Sequence, residues 1–266
     1  MAPRLIVHAG FHKTGTSSVQ QMLRANRRPL SRALRVLLKS DMAELVAATR
    51  AYAARPQDLE RALVQYEAAR LFGTLAGDDP RTILLSSEDL SGHIPGRQNR
   101  LGYPAAPMLM RSLLEAATAA WGTVPETVVY FSTRAPDAWM RSCHAQHVRA
   151  TRMTQSLADY TAWQRPAADL LDCVDAVAEA LSDTSARILS APLEATAESP
   201  LGPLDPLLDI AEIGPRLRAR LSPLPPHNTA MPAEVLDRLM ALNRSDLPRD
   251  EMRSRKEALI AQVRKG

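Results

Sequence analysis

Gly10-Phe11-His12-Lys13-Thr14-Gly15-Thr16-Ser17-Ser18 gathers two glycines, a lysine and a run of hydroxyl residues within nine positions. That composition suits an oxyanion. Glycines let backbone approach a ligand with no Cβ in the way. The N–H groups of such a turn, continued by a helix start, offer partial positive charge to a phosphate or sulfate. Thr16, Ser17 and Ser18 could cap the helix or donate hydroxyls to the ligand. Lys13 adds a full charge. In a nucleoside-triphosphate loop the lysine follows the second glycine, and the next Ser or Thr holds Mg²⁺. Here Thr16 follows Gly15, and the lysine stands two positions before that glycine. This shift argues against an ordinary ATPase or kinase. A plain strand-to-helix turn with a solvated Lys13 is the other reading; the order strand, loop, helix favours anion binding over it.

A second pattern lies further on. Thr127-Val-Val-Tyr-Phe-Ser-Thr-Arg134 is an apolar run ending in a cation, and Pro136 suits the first turn of a following helix. Arg134 falls at the carboxyl end of that run, the edge where ligands bind in open α/β sheets. Its planar fork matches phosphate oxygens. Ser142 comes eight residues later, about two helical turns into the next element. A structural ion pair for Arg134 and a surface position for Ser142 are the alternatives.

His8-Ala-Gly-Phe-His-Lys-Thr-Gly-Thr-Ser-Ser-Val-Gln20 resembles the 5′-phosphosulfate loop of the sulfotransferase family. It is most similar to the bacterial members, which often carry a Lys-Thr-Gly-Thr core. The resemblance implies 3′-phosphoadenosine 5′-phosphosulfate (PAPS) as co-substrate, no metal, and a P-loop kinase-like fold. The shifted lysine is a feature of that family. His12, Lys13, Thr14, Gly15, Thr16 and Ser17 would then hold the 5′-phosphosulfate. An Arg at the end of the later strand and a Ser eight residues on bind the 3′-phosphate in the family; Arg134 and Ser142 match both in identity and spacing. The resemblance covers these two motifs and the strand order between them, and extends weakly to Asn228-Thr-Ala-Met-Pro-Ala-Glu-Val-Leu. It does not cover 29–79. Arg264-Lys265-Gly266 has the letters of a late 3′-phosphate loop of cytosolic members, but it ends the chain and is taken as coincidence.

Sulfuryl transfer to an alcohol needs a group that takes the hydroxyl proton. Ser86-Ser-Glu-Asp-Leu-Ser-Gly-His93 ends the second apolar run and falls beside the phosphate loop. Relatives acting on sugars often use a Glu in this neighbourhood, and cytosolic members a His. Glu88 is the first candidate base, His93 the second and Asp89 the third; a cap or an ion pair is the other reading of Glu88. His8 and His12 suit packing or substrate contact. His144 and His147 are three apart with no third ligand motif, so they define no metal site. The expected activity is transfer of a sulfuryl group to a hydroxyl or amine of a small-molecule or glycan acceptor. An ATP-dependent small-molecule kinase, with Asp89 as its sole Mg²⁺ candidate, and a non-catalytic nucleotide-binding module are the competing readings.

Four short β-branched runs must position these residues: Leu5–Ala9, Thr82–Ser86, Thr127–Ser132 and Arg187–Ser190. Each is continuous rather than alternating, which suits strands buried on both faces of a parallel sheet. Helical spacing fills about 56–75, with Leu59, Leu63, Tyr66, Ala69 and Leu71 as its apolar face, and about 157–181. The expectation is a three-layer α/β domain over 1–266, with a parallel central sheet flanked by helices. It would carry a helical insertion across 29–79, a Pro-rich surface segment across 191–228 and a helical segment across 230–264. The charge run 249–256 reads as a solvated helix face.

Composition narrows the partners. A net charge of +4 over 266 residues gives no basic stripe for nucleic acid. No apolar run approaches the length of a membrane span, and the amino-terminal segment has no signal-peptide pattern, so a cytoplasmic protein is expected. Of 33 basic residues only four are lysines, which makes Lys13 in a glycine-bearing loop more pointed. Cys143 and Cys173 have no partner motif and read as buried thiols. The acceptor pocket is expected from 29–79, 91–107 and 149–166, and its ligand and the oligomeric state are left open.

Overall fold

The computed structural model of the chain describes residues 3–96, 100–224 and 231–263. The Asn228-Thr-Ala start of the C-terminal motif and Arg264-Lys265-Gly266 lie outside the described residues, as do positions 230 and 264 that bound the expected helical segment. Five parallel strands form one sheet: β1 (Leu5–His8), β2 (Leu34–Leu38), β3 (Thr82–Ser86), β4 (Thr127–Thr133) and β5 (Arg187–Pro192). Their order is β2-β3-β1-β4-β5. Successive side chains feed two cores. Leu5, Val7, Ile83, Leu85, Val129 and Phe131 face one layer; Ile6, Leu84, Val128 and Tyr130 face the other. Burial on both faces is why β1, β3 and β4 are continuous apolar runs. β5 departs from that expectation: it is an edge strand, exposed or half-buried along its whole length.

The helices make the outer layers. α1 (Thr16–Ala25) and α2 (Arg27–Leu30) follow β1, and α3 (Ala43–Ala54) and α4 (Asp58–Gly73) follow β2. α5 (Ala106–Trp121) joins β3 to β4, and α6 (Pro136–Ala150), α7 (Leu157–Gln164) and α8 (Leu170–Ala180) join β4 to β5. After β5 come α9 (Asp205–Ile210), α10 (Pro215–Arg218), α11 (Ala233–Arg244) and α12 (Arg249–Val263). Val19, Met22 and Leu23 of α1 pack with Leu207 and Leu208 of α9 on the Ile6 face. α3, α4, α5 and α8 cover the Leu5 face. The chain leaves β1 toward one edge and later returns to β4 on β1's other side. Crossovers of one hand that run in opposite directions fall on opposite faces. The paths therefore diverge between β1 and β4, the position at whose carboxyl ends open α/β sheets hold ligands.

Further expectations need correction. The Pro-rich segment 191–228 is not confined to the surface: Leu201, Leu204, Leu207, Leu208 and Leu221 are buried in the core on the Ile6 face. Residues 29–79 hold helices, as expected, but also the edge strand β2, which pairs with β3. Its exposed Arg35 breaks the apolar run and hides the strand in an Arg- and Leu-rich background. Helix α4 lies within the expected span, yet it buries Glu60, Val64, Ala68 and Phe72. Leu59, Leu63 and Tyr66 are exposed instead. The charge run in α12 is not wholly solvated. Lys256 is buried, and its Nζ donates to Val148 O, Thr151 O and Asn243 Oδ1, tying α12 to the end of α6. Elsewhere, Asp169 caps α8 and so divides the 157–181 stretch. Among the described residues no helix is long and apolar enough to cross a membrane.

Candidate functional site

β1 delivers its carboxyl end into a loop built on left-handed backbone. Gly10 (φ +46) and Gly15 (φ +91) adopt it, and so does Lys13 (φ 71), which has a Cβ. A Cβ on Gly10 would stand 2.5 Å from Thr16 Cγ2. Such backbone is uncommon outside glycine and persists when surrounding bonds over-determine it. Those bonds are present. Thr14 Oγ1 donates to Phe11 O at 2.6 Å and meets Ser132 Oγ of β4 at 2.7 Å. Trp139 Nε1 of α6 donates to His12 O at 3.0 Å, and His12 N donates to Tyr103 Oη at 2.9 Å. Ser91 Oγ donates to Gly10 O at 2.8 Å.

The loop leaves several of its own donors unbonded. Among the described residues the backbone N–H groups of Lys13, Gly15, Thr16 and Ser17 have no protein partner. Gly15 is the N-cap of α1 with no side-chain cap bond, and the first turn of α1 carries no acidic residue. The capping role open to Thr16 and Ser17 is therefore unused, and the helix N-terminus keeps its positive potential. Lys13 forms no ion pair among the described residues. Burial lowers its pKa below the ordinary lysine value, with the charge of Arg149 and then of Arg134 acting the same way.

Arg134 leaves the end of β4 and turns onto this loop. Its Nη1 donates to Lys13 O at 3.1 Å. Glu194, in the 3₁₀ turn after β5, stands 3.9 Å from Arg134 Nε and accepts from Ala135 N. Ser142 sits half-buried in the second turn of α6, and its hydroxyl has no side-chain hydrogen bond among the described residues. Thr14 and His12 are committed to internal bonds, so their side chains act on the loop's shape. Thr16 is buried and Ser17 exposed at the start of α1.

Glu88 and Asp89 follow β3 in a 3₁₀ turn (Glu88–Ser91) capped by Ser87. Glu88 Oε2 accepts from Gln20 Nε2 of α1 at 2.7 Å, which ties it to the helix that follows the glycine-bearing loop. Asp89 is buried and takes Lys39 Nζ by a short hydrogen bond. His12 Nε2 lies 3.4 Å and Arg50 Nε 3.7 Å from its Oδ1. Burial pushes the Asp89 carboxyl up, but His12 and Lys39 prevail and hold it at about 2. A carboxylate so committed is a poor proton acceptor. Ligand atoms of His12, Glu88 and Asp89 lie within 4.8 Å of one another. His93 is half-buried farther along the same loop, past Gly92 (φ +105).

The other candidates are packed away. His8 is buried against Tyr130, with Nδ1 2.8 Å from Ser86 Oγ, and burial lowers its pKa to about 4. His144 and His147 bond separate carbonyls, of Gln155 and Pro95. Cys143 is buried and Cys173 half-buried; neither forms a disulfide, and burial pushes both thiols up to about 12. A cavity of about 530 Å³ lined by Arg111, Leu114, Thr127 and Ala186 opens at the amino-terminal edge of the sheet, remote from this loop. Lys39, Arg50 and Arg149 stand at the candidate site although no local motif marks them, and Gln20 ends the His8–Gln20 stretch without a role that the sequence assigns; each arrives from a separate element. No protein-family model and no curated protein matches the chain.

Proposed function

We propose that the chain is a PAPS-dependent sulfotransferase with a P-loop kinase-like fold. The observation that carries this reading is the contact of Arg134 with the Lys13 carbonyl. It joins two motifs 121 residues apart at one edge of the sheet, so that two anion cradles would face one ligand. A parallel sheet whose central strand feeds the anion loop supports the fold assignment. The residues fit the donor: unbonded N–H groups, an uncompensated helix start and an ammonium without an ion pair among the described residues would meet the 5′ end. Arg134 and Ser142 would hold the 3′-phosphate and so discriminate PAPS from ATP.

In the reaction the acceptor oxygen, or an amine nitrogen, bonds to sulfur as the bond from sulfur to the donor's 5′-phosphate oxygen breaks. The acceptor proton passes to the Glu88 carboxylate, which Gln20 orients. Charge released on the phosphate oxygen is met by Lys13 and the loop N–H groups. Positioning and electrostatics supply most of the acceleration. The commitment of Asp89 to Lys39 and His12 weighs against its use as a Mg²⁺ ligand, and so favours sulfuryl over phosphoryl transfer.

The test is transfer of labelled sulfate from PAPS to a panel of hydroxyl and amine acceptors. Wild type should transfer, and Lys13→Ala should lose about 100-fold or more with an unchanged melting temperature. Equal turnover in that variant, or phosphoryl transfer from ATP instead, overturns the reading.

A further inference from the structure

We propose that Lys39 and Arg50 form a second anion site, beside Glu88, which holds a carboxylate or phosphate group of the acceptor. The assignment to the acceptor rests on the sulfotransferase reading; the anion site itself does not. Lys39 comes from the 3₁₀ turn after β2 (Lys39–Met42) and Arg50 from α3. Both meet at Asp89, the residue next to the candidate base. Asp89 is almost wholly buried, at 4% side-chain exposure, while Lys39 and Arg50 are 46% and 42% exposed. A buried carboxylate thus anchors two cations whose ends reach solvent.

Charge and geometry show that the pair does more than satisfy Asp89. A buried carboxylate needs a partner, and Lys39 already supplies a short hydrogen bond. Arg50 adds a second full charge but offers Asp89 only its Nε, at 3.7 Å. Among the described residues nothing bonds its Nη1 or Nη2. That leaves the part of a guanidinium that grips oxyanions in bidentate fashion uncommitted. Glu88 is the nearby opposing charge, within 4.8 Å of the Asp89 carboxylate, and it is engaged by Gln20. Position completes the case. Asp89 Oδ1 touches both Arg50 and His12 of the phosphate loop, so one oxygen separates the cation pair from the donor cradle. A hydroxyl acceptor carrying an acidic group could place its hydroxyl at Glu88 and its charge at Arg50.

Inorganic sulfate is titrated into the full chain saturated with 3′-phosphoadenosine 5′-phosphate. The expected result is one further sulfate bound, weakened about five-fold or more by Arg50→Gln, partly restored by Arg50→Lys and unmoved by Lys13→Ala. Arg50→Gln leaves Lys39 on Asp89, and an unchanged melting curve verifies the fold. No additional sulfate, or a sulfate sensitive to Lys13→Ala and indifferent to Arg50→Gln, overturns the site. Should the adenosine bisphosphate fail to bind while sulfate still responds to Arg50→Gln, the sulfotransferase reading falls and the anion site stands. Glucuronate, glucose 6-phosphate and glucose are then tested as competitors. Displacement of sulfate by an acidic sugar but not by glucose identifies the group held; displacement by neither acidic sugar overturns the acceptor assignment.

Discussion

Lys13 holds its left-handed backbone because its neighbours are tied on every side: Thr14 to Ser132, His12 to Tyr103 and Trp139, and its own carbonyl to Arg134. The strain is thereby local, and the ammonium stays available. This part of the site is legible in the sequence, since glycines, lysine and hydroxyls fall in one contiguous stretch. Arg149 and the partner of Gln20 are not: Arg149 is an ordinary helix residue until the fold brings its charge to Lys13, and Gln20 ends that stretch with nothing to say that it meets Glu88. The bond from Gln20 gives Glu88 a fixed direction, which a general base requires. Glu88→Gln, isosteric and still able to meet Gln20, should lower kcat about 100-fold while leaving binding of 3′-phosphoadenosine 5′-phosphate unchanged. Full activity in that variant would return the base role to His93.

Secondary elements divide along a similar line. Strands β1, β3 and β4 announce themselves as apolar runs because both faces are buried. Strand β2 does not, since an edge position tolerates Arg35. In α4 two apolar stripes compete, and spacing alone cannot choose between them. The sheet and α5 select Val64, Ala68 and Phe72, whereas Leu59, Leu63 and Tyr66 face outward. Denaturant unfolding separates the two stripes. Phe72→Ala should cost about 3–5 kcal/mol through cavity formation, while Leu63→Lys should stay within about 0.5 kcal/mol. A large loss for Leu63→Lys would mean that α4 is rotated from the packing described.

At the scale of the molecule, two cores meet across one sheet, and the site lies where chain paths part between β1 and β4. His8, at the end of β1, links that architecture to pH. It is buried and neutral, with a pKa lowered by burial from 6.5 to about 4. Between those values the unfolded chain takes up a proton that the folded chain refuses, so acidification destabilises the fold. From pH 7 to pH 5 His8 should account for a loss of roughly 2 kcal/mol. His8→Gln should flatten the dependence of the urea midpoint over that range; an unaltered slope would contradict the assignment. Calorimetry of 3′-phosphoadenosine 5′-phosphate against ATP with Mg²⁺ tests most directly whether the Lys13 loop and Arg134 grip one adenosine bisphosphate. The expected result is binding of the bisphosphate about ten-fold or more tighter than ATP, with that preference lost in Arg134→Ala. Preference for ATP, or bisphosphate binding indifferent to both Arg134→Ala and Lys13→Ala, would contradict the account.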